Sequence, residues 1–246
     1  MKIVKMASIF LKEQMRTPLS VIWSVISPTV LFFFLHFDDI DKKSGDTKWL
    51  REQLGWFIGY ISLSVILFSY CLYLIGRRES GFIATFIYSR TSKMVFIFSQ
   101  MLASLVMLFL YLSFFLIIVC TGFQVLPGVD FIFLITSSMA ISMLMMSAFT
   151  WLAGIPVTFP TANIIFSVLL TIFMIFMIFG VIAMKTEMTF ISFTNSINPI
   201  LIYSKCLSLR GASLISIGTE LFYFLMMILS LITVYRFRTE PVWSAQ

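Results

Sequence analysis

The sequence predicts an all-α polytopic membrane protein, and three observations predict it. Six long apolar stretches, at 18–37, 54–75, 99–119, 131–152, 161–184 and 215–234, account for most of the 246 residues. Each is close to the roughly 20 residues that a helix needs to cross the hydrocarbon core. The chain is 60% hydrophobic with a mean hydropathy of +1.02 and is only 11% charged, which leaves a soluble domain too little charge to cover its surface. Unpaired backbone groups cannot face lipid, so the Leu, Ile, Phe and Met runs are read as helices, and none shows the short alternating segments of a barrel.

Ahead of the first span, residues 1–17 carry Lys2, Lys5, Lys12 and Arg16 spread along their length, with no uninterrupted apolar core before a small-residue cleavage site. That is not a signal-peptide pattern, so the segment is expected to be retained. At 100° per residue the basic side chains and Glu13 share one sector, while Val4, Ala7, Phe10, Leu11 and Met15 lie elsewhere and Ile9 breaks the pattern. The expectation is an amphipathic helix in the membrane interface, 1–17, followed by a six-span domain, 18–246; a basic flank that fixes topology is the plainer alternative.

Orientation follows from where Lys and Arg fall. With the N-terminus inside, the cytoplasmic segments hold Lys2, Lys5, Lys12, Arg16, Arg77, Arg78, Arg90, Lys93, Arg236 and Arg238. The external segments hold Lys42, Lys43, Lys48, Arg51, Lys185, Lys205 and Arg210, balanced by the acids of 38–52 together with Asp130 and Glu187. Both termini are therefore expected in the cytoplasm. The net charge of +6 is read as membrane orientation; without a basic patch interleaved with aromatics it is no nucleic-acid signal.

Several chemistries are poorly served. Cys71, Cys120 and Cys206 are too few and scattered for a disulfide framework. The single histidine, His36, stands at the outer end of the first span beside Asp38 and Asp39, where a side chain snorkelling to the interface is expected. A zinc hydrolase of the His-Glu-x-x-His type or a Ser/His intramembrane protease lacks its histidines, and an aspartyl intramembrane protease lacks aspartates inside the spans. Glu220 is the one formally charged group within the stretches; a coupled transporter usually shows several, so a helix-end or interhelical hydrogen bond competes with an ion-path role. No G-x-x-x-x-G-K-[ST] occurs, so any ATP that drives this chain is bound by another polypeptide.

Between spans two and three runs 76–93, Gly-Arg-Arg-Glu-Ser-Gly-Phe-Ile-Ala-Thr-Phe-Ile-Tyr-Ser-Arg-Thr-Ser-Lys. Its middle, with Phe82, Ile83, Phe86 and Ile87, is apolar at helical spacing, bracketed by Arg77, Arg78, Glu79, Arg90 and Lys93. It reads either as a docking helix whose face needs a partner or as an extension of span three. Here the chain resembles the permease subunits of ABC-2 type transporters, in which this loop reads Arg-Glu-x-Gly and then a Thr-Pro-x-Ser-Arg-like stretch. Arg78, Glu79 and Gly81 match, and 89–92 occupies the second stretch without its proline; Gln100 stands where a basic residue is common. Arg-Thr-Pro-Leu-Ser at 16–20, followed by Trp23 and Pro28, resembles the family's passage from interfacial helix into span one. After span five, Asn198, Pro199, Tyr203 and Arg210 match an external Asn-Pro-x-x-Tyr and basic pattern within a re-entrant helical segment. From the residues alone, Asn198 and Pro199 are an Asn cap with Pro in the first turn, and a packing helix without substrate contact fits as well.

The resemblance implies half of a transmembrane pathway: a second permease copy or relative, two separate ABC ATPase subunits that bind ATP and Mg, and no cofactor on this chain. The lever would be 81–89, with Phe82 and Phe86 in an ATPase groove and Arg77, Arg78, Glu79 and Arg90 around it; 153–160 takes the place of the second coupling element. By the same analogy spans two and five form the pathway or dimer interface, with Trp56, Tyr60, Tyr70, Phe166, Phe173 and Phe176 as candidates. Gly55 and Gly59 form a Gly-x-x-x-Gly pair, equally suited to packing within the chain. Few polar side chains cross the bilayer, which points to an amphiphilic cargo, a drug or antimicrobial peptide exported in self-protection, with a lipid-linked glycan as runner-up. A secondary transporter that depends on Glu220, or a membrane enzyme or scaffold, are the alternatives from other classes.

Overall fold

The computed structural model describes residues 2–16, 22–83, 89–126, 128–183, 198–207 and 224–232. All of its regular structure there is helical. Helix α1 (Lys2–Gln14) is followed by a π-turn (Ile22–Ile26) that opens α2 (Ser27–Leu35), then a short α3 (Asp39–Lys42). Helix α4 (Thr47–Ser64), a π segment (Val65–Leu72) and α5 (Tyr73–Glu79) run on as one 33-residue rod. Then come α6 (Arg90–Gly122), α7 (Val129–Ala153), α8 (Phe159–Ala183) and α9 (Pro199–Leu207); residues 224–232 are helical as well.

Among the described residues, four helices are long and apolar enough to cross a membrane, corresponding to predicted spans two to five; the apolar helix Ser24–Leu35 is shorter. The predicted span at 215–234 is described only at 224–232. Three boundaries of the second and third spans differ from expectation by four residues or more. The second span begins at Thr47, not Leu54, because the Asp46 carboxylate accepts from the Trp49 amide and caps it. The second span continues past Ile75 to Glu79, because its terminal arginines find partners instead of ending the helix. The third begins at Arg90, not Ser99, because the Ser89 hydroxyl accepts from the Ser92 amide at 3.2 Å and caps it. The stretch 89–92 is thus the start of span three, and of the lever at 81–89 only 81–83 and Ser89 are described.

The rods alternate in direction. At one end Arg51 pairs with Asp130 at 2.8 Å and the Gly45 amide donates to Phe123; this is the Trp49 end. Phe32 is fully buried there, with edge contacts to Phe33, Phe57, Phe115 and Phe123 at 4.9–6.1 Å. His36 packs on Phe32 and Trp49 and donates from Nδ1 to the Phe32 carbonyl, 3.0 Å away. At the other end, the Arg78 end, lie the α5 terminus and the turn from α7 to α8. Helix α1 lies against α6, with Phe10 edge-on to Phe96 at 5.5 Å.

Lipid offers apolar side chains no hydrophobic drive to associate, so close packing and polar contacts hold such helices together. Serine and threonine hydroxyls inside the helices mostly bond back to the carbonyl four residues earlier, as Thr29, Ser99, Ser138, Ser142 and Thr150 do. The glycine pair supplies the close packing. A Cβ on Gly59 would lie 2.8 Å from the Ile200 carbonyl oxygen and 3.0 Å from Tyr203 Cβ; one on Gly55 would lie 3.2 Å from Ser204 Cα. The groove on α4 is therefore filled by α9 of the same chain. Gly59→Ala is expected to destabilise the bundle by roughly 2 kcal/mol through overpacking, and Gly55→Ala by less, read as the order of their thermal unfolding midpoints in detergent.

Candidate functional site

A cleft of about 1090 Å³ runs along the bundle between α2 with its π-turn, the α4–α5 rod and α8, with the end of α1 closing one extremity. Its walls come from residues at helical spacing. Asn163, Ser167 and Thr171 lie one turn apart on α8; Tyr60, Ser64, Tyr73 and Ser80 come from the rod, and Ser24 and Ser27 from the first span. The Ser167 and Thr171 hydroxyls donate to the carbonyls of Asn163 and Ser167, both at 2.8 Å. Their protons are thus spent within the helix, leaving oxygen lone pairs facing the cleft. The Ser24 and Ser64 hydroxyls are 3.0 Å apart and pin α2's leading turn to the rod. The lining mixes these hydroxyl and amide groups with the apolar Phe68, Leu72, Phe159 and Leu170, and its charged members are Glu13 and Arg77, both at the Arg78 end.

The π segment shapes this wall. The segment closes tightly, with the Tyr73 amide donating to the Tyr70 carbonyl three residues back. The Ser69 carbonyl, within this segment, accepts from Gln14 Nε2 at 2.9 Å, Gln100 Nε2 at 2.7 Å and Ser104 Oγ at 2.9 Å. One backbone oxygen thereby gathers α1, α6 and the rod. On the opposite side of the same segment, the Tyr70 hydroxyl meets Thr150 at 2.8 Å and Cys71 donates to the Phe149 carbonyl at 3.5 Å. Tyr70 is accordingly buried against α7 and does not line the cleft.

At the Arg78 end the adjacent arginines part company. Arg77 forms an ion pair with Glu13, and its guanidinium stacks over Phe82, Phe10 and Tyr73 at 4.8, 5.0 and 5.4 Å. Arg78 is 1% exposed and points the other way, donating to the carbonyls of Ala153, Ile155 and Val157 at 3.1, 2.9 and 2.7 Å. Glu79 lies 3.4 Å from Arg78 Nε. Gly81 has φ +73°, the left-handed conformation that ends a helix with little strain only in glycine, and its amide donates to the Arg78 carbonyl at 3.1 Å. Backbone geometry thus accounts for the glycine of the Arg-Glu-x-Gly motif. The Phe82 ring is partly engaged within the chain, with Phe96 6.4 Å away.

The external motif is a packed helix. Asn198 caps α9 by accepting from the Ile200 amide at 3.0 Å while donating to the Phe173 carbonyl at 2.9 Å. Pro199 opens the helix, and the fully buried Tyr203 hydroxyl meets Ser142 at 2.7 Å. Tyr60 lines the cleft and Phe176 is exposed; Phe166 is buried in the core, with Trp56 and Phe173 packed half-buried against it. Phe86, Arg210 and Glu220 lie outside the described residues, as does the side chain of Arg90. Reasoning from residues missed Gln14, Ser69, Gln100 and Ser104, and it took the scarcity of charge for a scarcity of polarity. The signal was there in Asn163, Ser167 and Thr171, spaced by four within one apolar stretch.

These features define a multi-helix membrane protein with a cleft of mixed polar and apolar lining inside its helical bundle. No family model matches the sequence. The chain is 49% identical over 243 residues to Protein McbE of Escherichia coli, an alignment that covers 99% of each chain, and it belongs to the family of that protein.

The shared acceptor generates a test. Gln100→Leu and Gln14→Leu are each expected to cost about 1 kcal/mol. The double variant should cost more than their sum, because the Ser69 carbonyl then keeps only Ser104. A double-mutant cycle on thermal unfolding in detergent measures the excess, and strict additivity would refute the shared-acceptor account.

Proposed function

We propose that this chain is the membrane-spanning permease subunit of an ATP-driven exporter of the ABC-2 type, moving an amphiphilic cargo out of the cell, with an antimicrobial peptide exported in self-protection as the favoured substrate. The cleft carries this reading. Hydroxyl groups of Tyr60, Ser64, Ser69 and Tyr73 on the rod and of Ser167 and Thr171 on α8, interleaved with Phe68, Leu72 and Leu170, suit a substrate with uncharged hydrogen-bonding groups and apolar surface between them. They are a poor fit to a bare ion, for which charged or carbonyl ligands would have to converge.

The chain would be one half of a pathway, completed by a second copy or a relative against the open side of α8. Two separate ATPase subunits would bind ATP and Mg and press on the Arg78 end, at 81–89 and 154–158, with that end and both termini in the cytoplasm of a cell with this protein in its inner membrane. The lone Gly-x-x-x-Gly pair is set aside as a dimer contact because α9 occupies it. A lipid-linked glycan shares the hydrogen-bonding character and remains the second substrate class. An ion-coupled carrier is supported less, since the described cleft residues carry charge only in the Glu13 and Arg77 pair.

The first test is mild-detergent purification of the tagged protein from its host, with mass spectrometry of stoichiometric partners. A polypeptide with a nucleotide-binding loop is the expected companion, and a reproducible homo-oligomer lacking one would sink the ATP-driven reading. Ser167→Leu and Thr171→Leu are each expected to lower export at least tenfold while leaving partner recovery unchanged, measured as export and co-purification in the same strain.

A further inference from the structure

Arg78 donates to three carbonyls on a different part of the chain from its own. Ala153 is the last residue of α7, and Ile155 and Val157 belong to the turn that leads into α8. The guanidinium fork presents its donors in a plane, and here that plane is filled by carbonyls that α7 and its turn leave without helical partners. Three residues further on, Gly81 turns the chain into the first connector.

The neighbouring pair gives the energetic contrast. In the pair of Arg77 with Glu13 the arginine side chain is 15% and the glutamate 51% exposed, so water reaches the carboxylate and can replace it. Arg78 is 1% exposed. Withdrawing the three carbonyls would leave this buried cation with Glu79 but without the acceptors that fill its fork, in a site closed to water. A contact of the first kind opens in thermal motion, whereas one of the second kind stays closed while the rods move.

We propose that Arg78 is a positioning residue that fuses the end of the rod, where Gly81 turns the chain into the first connector, and the second connector at 154–158 into a single lever. A displacement delivered to the first connector then reaches the second through the guanidinium. It passes into α8, whose Asn163, Ser167 and Thr171 wall the cleft. A partner gripping the first connector alone would therefore move the cleft wall. What pushes the lever rests on the exporter reading above, but the tie itself does not.

The test uses the full chain in lipid nanodiscs, with Cys71, Cys120 and Cys206 replaced by alanine and spin labels at Ser80→Cys and Thr158→Cys, both exposed. A second pair at the opposite end, Lys42→Cys and Leu126→Cys, reports on the integrity of the bundle. The connector pair is expected to give one narrow distance distribution, at least doubled in width by Arg78→Gln, while the opposite pair is unchanged. Arg78→Lys keeps the charge but donates from a single nitrogen, so it should give an intermediate width; if Arg78→Gln disturbs the opposite pair too, Arg78→Lys decides. Equal connector widths in parent and Arg78→Lys, or in parent and Arg78→Gln with the opposite pair intact, overturn the proposal. In the complete transporter, Arg78→Lys should lower export per ATP hydrolysed at least threefold while hydrolysis persists, and an unchanged ratio counts against the lever. Absence of any ATPase would refute the exporter reading and leave the distance result standing.

Discussion

The Ser69 carbonyl is the contact on which the arrangement turns. A backbone oxygen in the middle of a membrane rod is normally consumed by its own helix, and lipid tolerates nothing else. This one, inside the π segment Val65–Leu72, also takes the side-chain donors of Gln14, Gln100 and Ser104, which gives those residues a reason to be buried. Amides placed at that depth without a free acceptor would be costly. The π segment therefore acts as a socket. It draws α1 and α6 to one side of the rod, while Tyr70 and Cys71 fasten α7 to the other.

That socket also sets the shape of the cleft. With α6 and α7 both fastened to the rod, the remaining side is left to the first span and α8, the elements that wall the open space. Hydroxyls suit such a wall because each satisfies its own donor on the helix behind it, as Ser167 and Thr171 do. The helix can then face lipid or substrate without an unpaired proton, and still offer acceptors to a ligand that brings donors.

Much of this architecture was legible in the sequence, because lipid leaves a long apolar stretch little choice but a helix. The Gly-x-x-x-Gly pair and the Asn-Pro-x-x-Tyr motif were each visible, yet nothing in either pattern says that they meet. Only the fold brings Tyr203 Cβ to within 3.0 Å of a Cβ built on Gly59. The Ser89 cap was hidden because it precedes the apolar run by ten residues, and helix starts were sought where hydropathy rises. The π turn was illegible for a deeper reason: it changes the partner of one amide and leaves composition and period almost untouched. The cleft was overlooked because isolated serines and threonines barely lower hydropathy, whereas their spacing by four, which carries the information, was not weighed.

The two adjacent arginines show how one motif serves two purposes. Consecutive residues on a helix point about 100° apart, so Arg77 and Arg78 cannot share a neighbour. Arg77 turns toward α1 and the cleft, where an aromatic surround and Glu13 hold it near water. Arg78 turns toward the α7–α8 turn and is closed off. Exchanging the pair for lysines would preserve net charge and the Glu13 contact but not the planar fork that matches three carbonyls. The demand for arginine therefore falls more heavily on position 78, and Gly81 completes the same corner by supplying the backbone conformation that lets the chain leave it.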